Sequence, residues 1–179
     1  DTWRVNVDGT FRLLEEARRA KVNRFVFTSS SSVYGDTPVL PKREDMPVRP
    51  LSPYAASKAA GEALVSSYAA SFGMSAASLR PFNVYGPRQD PGSEYAAAIP
   101  RFITALLGRS APIVYGDGAQ TRDFTYVEDA AEAFERASRS EASGIFNVAT
   151  GGRISILDLI AMLRKICGGP EPEFLQRRP

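Results

Sequence analysis

The chain has 179 residues, 44% apolar and 23% charged, enough to bury a core as one domain or as two small lobes. Its formal net charge is +2, and Lys and Arg are scattered rather than striped, so there is no electrostatic footprint for nucleic acid. No histidine is present, which removes Ser-His-Asp and Cys-His catalysis and imidazole metal sites and leaves Asp, Glu, Lys or Tyr as general base. No metal is expected. Cys167 stands alone and cannot pair within the chain, which fits a reducing, cytoplasmic setting. No apolar run approaches the ~20 residues of a membrane span, so no membrane partner is expected. The opening Asp1-Thr2-Trp3-Arg4 is unlike a signal peptide.

In chain order, Val7 to Ala20 reads as a helix with Phe11, Leu14 and Ala17 on one face. Arg24 to Thr28 reads as a buried strand, and Ser29 to Ser32 with Val33-Tyr34-Gly35 follow at its end. Gly35 to Pro50 holds four prolines and alternating charges, a surface loop. Ser52 is a candidate N-cap, Pro53 suits the first helical position, and Gly73 stops a helix running from Pro53 to about Phe72. Ser75 to Leu79 reads as a strand, and Asn83 to Ser93 as a polar, Gly- and Pro-rich binding loop. A helix over Ala97 to Leu107, a short strand over Pro112 to Tyr115 and a turn at Gly116-Asp117-Gly118 come next. Glu128 to Ser138 reads as a helix and Ile145 to Ala149 as a strand. Ser155 to Ile166 reads as an amphipathic helix, with Asp158 in a capping-box position and Gly168-Gly169-Pro170 at its end. No terminal element is expected at Arg177-Arg178-Pro179. Strands alternating with helices predict an α/β fold with a parallel sheet.

Two short runs carry the chemistry. In Ser52-Pro53-Tyr54-Ala55-Ala56-Ser57-Lys58, Tyr54 and Lys58 stand four apart and share one helical face. A phenol near pKa 10 needs a shift of several units to work at neutral pH, and an adjacent ammonium supplies charge of the right sign. A serine from Ser29-Ser30-Ser31-Ser32 can hydrogen-bond the same substrate oxygen. The combination is the proton-handling half of a nicotinamide-dependent dehydrogenase or epimerase. The competing readings are a chance Tyr-x-x-x-Lys on an exposed helix and a merely polar strand-end loop.

These motifs, with Asn6-Val7-x-Gly9-Thr10, Arg80-Pro81-Phe82-Asn83-Val84-Tyr85-Gly86-Pro87-Arg88, Arg122-Asp123-Phe124, Phe146-Asn147-Val148 and Arg178-Pro179, run the length of the chain in order. The chain resembles the extended short-chain dehydrogenase/reductase superfamily, in its nucleotide-sugar epimerase branch. That resemblance implies a doubly wound, Rossmann-type parallel-sheet domain with a smaller mixed substrate lobe. The expected division places residues 1–82 in the NAD-binding domain and 83–179 mainly in the substrate lobe, with 123–149 returning to the first. The family's Gly-rich dinucleotide turn has no counterpart in the sequence. The expectation is therefore an N-terminally incomplete domain, a fragment or a truncated gene product.

The resemblance also implies roles. Tyr54 is the acid/base, and Lys58 lowers its pKa and holds the nicotinamide ribose, the two titrating as a pair. Ser30, three before Val33, is the catalytic serine. Asn6 resembles a family Asn that braces the backbone near the cofactor, with a helix cap as the competing reading. Pro81 and Phe82 lie against the nicotinamide, with core packing as the competing reading.

Asn83, Arg122 and Arg178 converge on the substrate diphosphate, since Arg presents planar donors to phosphate. Competing readings are a salt bridge from Arg122 to Asp123 or Glu128 and an unrestrained chain end at Arg178. Ala97, Ala98, Ile113 and Tyr115 resemble the positions that hold uracil. Gln89 sits in a run most similar to that of UDP-N-acetylglucosamine 4-epimerases. Ser31 and Ser32 occupy substrate-facing positions where related 4,6-dehydratases carry acids, so dehydration is disfavoured. The expected activity is 4-epimerisation of a UDP-hexose with NAD in a homodimer. A 4-keto reductase, a UDP-uronate epimerase and an inert fragment or binding module are the alternatives.

Overall fold

A computed structural model describes residues 1–92 and 98–176. These form two compact units: one of Asp1–Phe82 with Glu128–Val148, the other of Asn83–Val127 with Ala149 onward.

In the first unit a π-helical turn, Arg4–Asp8, runs straight into helix α1 (Gly9–Arg19). Strand β1 (Phe25–Thr28) is followed by a tight 3₁₀ turn, Ser31–Tyr34, and a long loop. Helix α2 (Pro53–Phe72) then leads to β2 (Ala76–Pro81). The boundaries of α2 have local causes. Ser52 Oγ accepts the Ala55 N–H at 3.1 Å, Pro53 occupies the first turn, and Gly73 adopts φ 66°, a left-handed stop that favours glycine. Helix α4 (Val127–Arg139) and strand β5 (Gly144–Val148) close the unit, once the short elements of the second unit have intervened. The sheet is parallel throughout, in the order β1-β2-β5, with Phe25 opposite Ala76 and Ser78 opposite Ile145.

The core of this unit joins Leu14, Phe27, Val65, Tyr68 and Ala76. The expected apolar face of α1 is corrected at Phe11, which is 47% exposed while Leu14 is fully buried. Phe11 packs edge-to-face with Tyr68, with ring centroids 6.4 Å apart. Tyr68 in turn donates its hydroxyl to Glu15, which Arg18 also grips at 3.0 Å. Glu15 thereby latches α1 to α2, and its carboxyl is lowered to about 2, chiefly by the Arg18 hydrogen bond.

The second unit holds α3 (Ala98–Leu107), β3 (Ile113–Tyr115), β4 (Thr121–Arg122), β6 (Ile154–Ser155), α5 (Ile156–Cys167) and β7 (Glu173–Leu175). β3 pairs with β7 in parallel and β4 with β6 antiparallel. Ile99, Phe102, Val114, Ile156, Leu159 and Ile160 form its core. Three of these elements were absent from the sequence reading. β4 and β6 are two residues each and β7 three, too short for any periodic signal, and β7 supplies the terminal element that was not expected. At α5, Ser155 Oγ accepts the Asp158 N–H at 3.0 Å and bonds the Asp158 carboxylate at 2.6 Å. The acid therefore reaches the cap's hydroxyl rather than its backbone N–H, because Asp is one methylene shorter than Glu. Among the described residues no helix is long and apolar enough to cross a membrane.

One glycine decides how α2 meets the sheet. A Cβ on Gly61 would stand 2.3 Å from Phe27 Cζ, so only glycine lets the helix lie this close to β1. Gly61→Ala is expected to lower unfolding free energy by about 1–3 kcal/mol through overpacking, as read from urea denaturation.

Candidate active site

Tyr54 and Lys58 stand on successive turns at the start of α2, as their spacing requires. Tyr54 is 46% exposed, and Lys58 is half-buried. Lys58 Nζ donates to the Thr28 carbonyl at the end of β1, at 2.8 Å. It lies 5.8 Å from the centroid of the Tyr54 ring and 5.4 Å from that of Phe27. Burial pushes the Lys58 ammonium below the ordinary lysine range. The ammonium thus stands within cation–π range of the phenol ring.

Asn6 reaches this turn from a distance in sequence. Its Nδ2 donates to Ser57 Oγ at 3.0 Å, and Ser57 Oγ donates to the Tyr54 carbonyl at 2.7 Å. Ser57 is fully buried. The capping alternative for Asn6 is therefore set aside: the residue lies inside the π-helical turn and braces the first turn of α2.

Ser30 has extended backbone, and its Oγ accepts from the Ser32 N–H at 3.2 Å and the Ser32 hydroxyl at 2.9 Å. With two acceptor bonds made, its own O–H is left as a donor. The hydroxyl of Ser32 is spent on Ser30, while Ser31 is half-buried at the start of the same turn. Pro81 and Phe82 are half-buried at the end of β2. Phe82 donates its N–H to Val148 O at 2.9 Å, and its ring centroid lies 6.2 Å from that of Tyr34.

Beneath these residues lies a charged network that sequence reasoning missed. Glu62, one turn beyond Lys58, is 4% exposed, and Arg80 of β2 is 1% exposed. Arg80 donates to both Glu62 oxygens at 2.7 Å, and Ser29 Oγ donates to Oε1 at 2.5 Å. The Arg80 guanidinium also stacks 4.6 Å from the Tyr34 ring centroid. Burial opposes its charge, but the hydrogen bonds it donates, to Glu62 above all, outweigh that and raise its pKa. Tyr34 hydroxyl donates to Asn147 Oδ1 at 2.6 Å. The available signal was a Glu and an Arg standing at positions otherwise occupied by core residues.

In the second unit Asn83 takes φ 27° and donates Nδ2 to the Asp123 carbonyl at 2.7 Å. Asp123 carboxylate accepts from Thr150 Oγ1 at 2.7 Å and from the Gly151 N–H at 2.8 Å. The Asn83, Asp123 and Thr150 loops are thus tied together. Arg122 is exposed and makes a long bond, 3.4 Å, to its neighbour's carbonyl. Among the described residues it joins no ion pair, and the carboxylate of Asp123, named in the competing salt-bridge reading, is engaged by Thr150 and Gly151. Gln89 turns its amide inward, with Nε2 donating to Val84 O at 3.3 Å and Oε1 buried without a hydrogen-bond partner among the described residues. Ala98 opens α3 and is half-buried. Ile113 and Tyr115 occupy alternate positions of β3, on one face. Ala97 and Arg178 lie outside the described residues.

Compared with known proteins, residues 1–149 match the model of the NAD dependent epimerase/dehydratase family. The chain belongs to that family. It is 46% identical over 173 residues to a UDP-glucose 4-epimerase of Mycolicibacterium smegmatis, covering 95% of this chain and 55% of that protein. A UDP-N-acetylglucosamine 4-epimerase from Methanobrevibacter ruminantium, solved with UDP-N-acetylmuramic acid, superposes with TM-score 0.96 at 39% identity, over 98% of this chain and 57% of that one. A UDP-glucose 4-epimerase from Thermotoga maritima, solved with UDP-glucose, gives TM-score 0.93 at 32% identity, over 98% and 58%. The chain spans about half the length of the curated relatives it matches.

The lowered Lys58 pKa has a sign that can be tested. Between its folded value and the ordinary lysine value of 10.5 the unfolded chain binds more protons, so this residue's contribution to stability rises with pH across that window. Lys58→Met is expected to remove that rise, as measured by the difference in unfolding free energy between the two proteins from pH 7 to pH 10.

Proposed function

We propose that the protein containing this chain is an NAD-dependent 4-epimerase of UDP-hexoses, with N-acetylated sugars favoured. The observation that carries the proposal is the Tyr54–Lys58 pair on the first turns of α2, with the lysine anchored on the Thr28 carbonyl. Family membership and the resemblance to UDP-sugar 4-epimerases support it.

The donor set suits a nicotinamide ribose. Lys58 uses one of its three N–H groups on Thr28, and the remaining two can bond vicinal hydroxyls. Lys58, Tyr54 and Asn6 form the polar side of the cofactor site, and Pro81 and Phe82 its apolar side. Bound there, NAD would supply reversible hydride exchange with carbon 4 of the sugar, with no net redox over a turnover.

Tyr54, as phenolate, accepts the proton of the sugar 4-hydroxyl and later gives it back. Lys58 favours the phenolate by its charge. Ser30, whose lone pairs are engaged by Ser32, donates its O–H to the same sugar oxygen. Asn83 and Arg122, with Arg178, bind the diphosphate, while Ala97, Ala98, Ile113, Tyr115 and Gln89 receive the uridine and sugar. Binding energy from the nucleotide, remote from carbon 4, supplies the positioning. Ser31 and Ser32 offer no carboxyl to expel water, which separates the proposal from a 4,6-dehydratase. A homodimer through α1 and α2 belongs to the same proposal, supported by the exposed Leu13 and Phe72 on those helices. A reducing, cytoplasmic setting is supported by the single free Cys167.

The test is conversion of UDP-N-acetylglucosamine or UDP-glucose to its 4-epimer, followed by proton NMR without added reductant. Tyr54→Phe is expected to lower kcat by ~10²–10⁴-fold with little change in KM. Stoichiometric consumption of NADH would indicate a 4-keto reductase instead. Full activity in Tyr54→Phe would exclude the mechanism.

A further inference from the structure

We propose that the buried Glu62–Arg80 ion pair is a positioning device for the site, holding the strand end that carries Ser30 in register with the helix that carries Tyr54 and Lys58. The proposal rests on the epimerase reading of those three residues.

The carboxylate of Glu62 gathers three donors from two strands. Arg80 of β2 contributes Nε and Nη2, both at 2.7 Å, and Ser29 at the end of β1 contributes its hydroxyl at 2.5 Å. Ser29 is the residue before Ser30. Glu62 is one turn after Lys58, whose ammonium is anchored on Thr28 of the same strand end. Arg80 immediately precedes Pro81 and Phe82. One ion pair thus joins the strand end before Ser30, the helix that carries Tyr54 and Lys58, and the strand that leads into Pro81 and Phe82. The guanidinium is also stacked on Tyr34, whose hydroxyl reaches Asn147 of β5, so the network crosses the sheet.

Stability alone is a poor reason for such a pair. Two charges this buried lose most of their hydration, and a well-packed apolar pair of similar volume is commonly as stable or more so. Apolar side chains would still hold α2 against β1 and β2. They could not hold it at a fixed offset, because dispersion contacts are non-directional, whereas a fork of two N–H groups on one carboxylate fixes distance and angle together. Displacements of about 1 Å at reacting groups cost on the order of 10²-fold in rate, so an offset that stability does not register is one that catalysis does.

The experiment replaces both partners at once, Glu62→Leu with Arg80→Met. Thermal midpoint, kcat and KM for the UDP-sugar, and the titration of ¹³C-dimethylated Lys58 by NMR are measured on this variant and on the unsubstituted protein. The expected result is a midpoint equal or higher, KM within ~3-fold, kcat lower by ~10–100-fold, and a Lys58 titration moved up toward that of an ordinary lysine as its anchorage loosens. Unchanged kcat with an unchanged titration would overturn the proposal, as would a loss of activity that only tracks loss of folded protein. If the double variant does not fold, Ser29→Ala decides. It removes only the hydroxyl that ties the strand end to the pair, and it is expected to lower kcat by several-fold at unchanged midpoint and KM; unchanged kcat would sink the idea. If the unsubstituted protein shows no epimerase activity, the functional reading fails by itself. The Lys58 titration then still judges the positioning role, supporting it if moved and refuting it if not.

Discussion

The first unit depends on one buried ionic contact. Glu62 and Arg80 are almost wholly removed from water, and each is tolerable there only because the other is present. Loss of one partner would leave the other charge unmatched, at a cost of about 3–5 kcal/mol. The contact therefore makes the burial of α2 against β1 and β2 conditional on correct alignment.

Around that contact the remaining constraints are short-range and complementary. Gly61 removes the one side chain that would keep α2 away from Phe27. The close approach lets Lys58, three residues earlier, reach the Thr28 carbonyl. Asn6 and Ser57 hold the first turn from the other side. Tyr54 is flanked on the helix by residues tied down from elsewhere, Ser57 by Asn6 and Lys58 by Thr28. A half-exposed phenol on a rigid platform is free to meet a ligand while its surroundings stay fixed.

Much of this was legible in the sequence where the cause is local. The limits of α2 follow from Ser52, Pro53 and Gly73, all adjacent to the ends they define. The Tyr54–Lys58 pairing follows from helical spacing alone. The parallel α/β class follows from the alternation of strands and helices. What escaped has non-local causes. Glu62 and Arg80 meet across the helix–sheet interface, and nothing near either residue announces the other. Asn6 bonds Ser57 on a different helix, so its capping and bracing readings could not be separated before the fold was known. Phe11 stays outside the core while Tyr68 of α2, against which it packs, is buried, a choice between two helices that the periodicity of one cannot show. β4, β6 and β7 are pairings of two or three residues, held by their partners rather than by their own propensities.

The loop between the 3₁₀ turn and α2 has an effect on how the sheet can grow. Glu44 accepts the Asn147 backbone N–H at 2.7 Å, and Lys42 O accepts the Asn147 side chain at 3.0 Å. The loop thus occupies the outward-facing side of β5, the last strand in the order β1-β2-β5. A strand approaching that margin would have to displace a carboxylate from a donor it already satisfies, the kind of plug by which natural sheets discourage edge-to-edge aggregation. The cover is local: at Asn147 the loop takes up both the N–H and the side-chain amide that a further strand would meet.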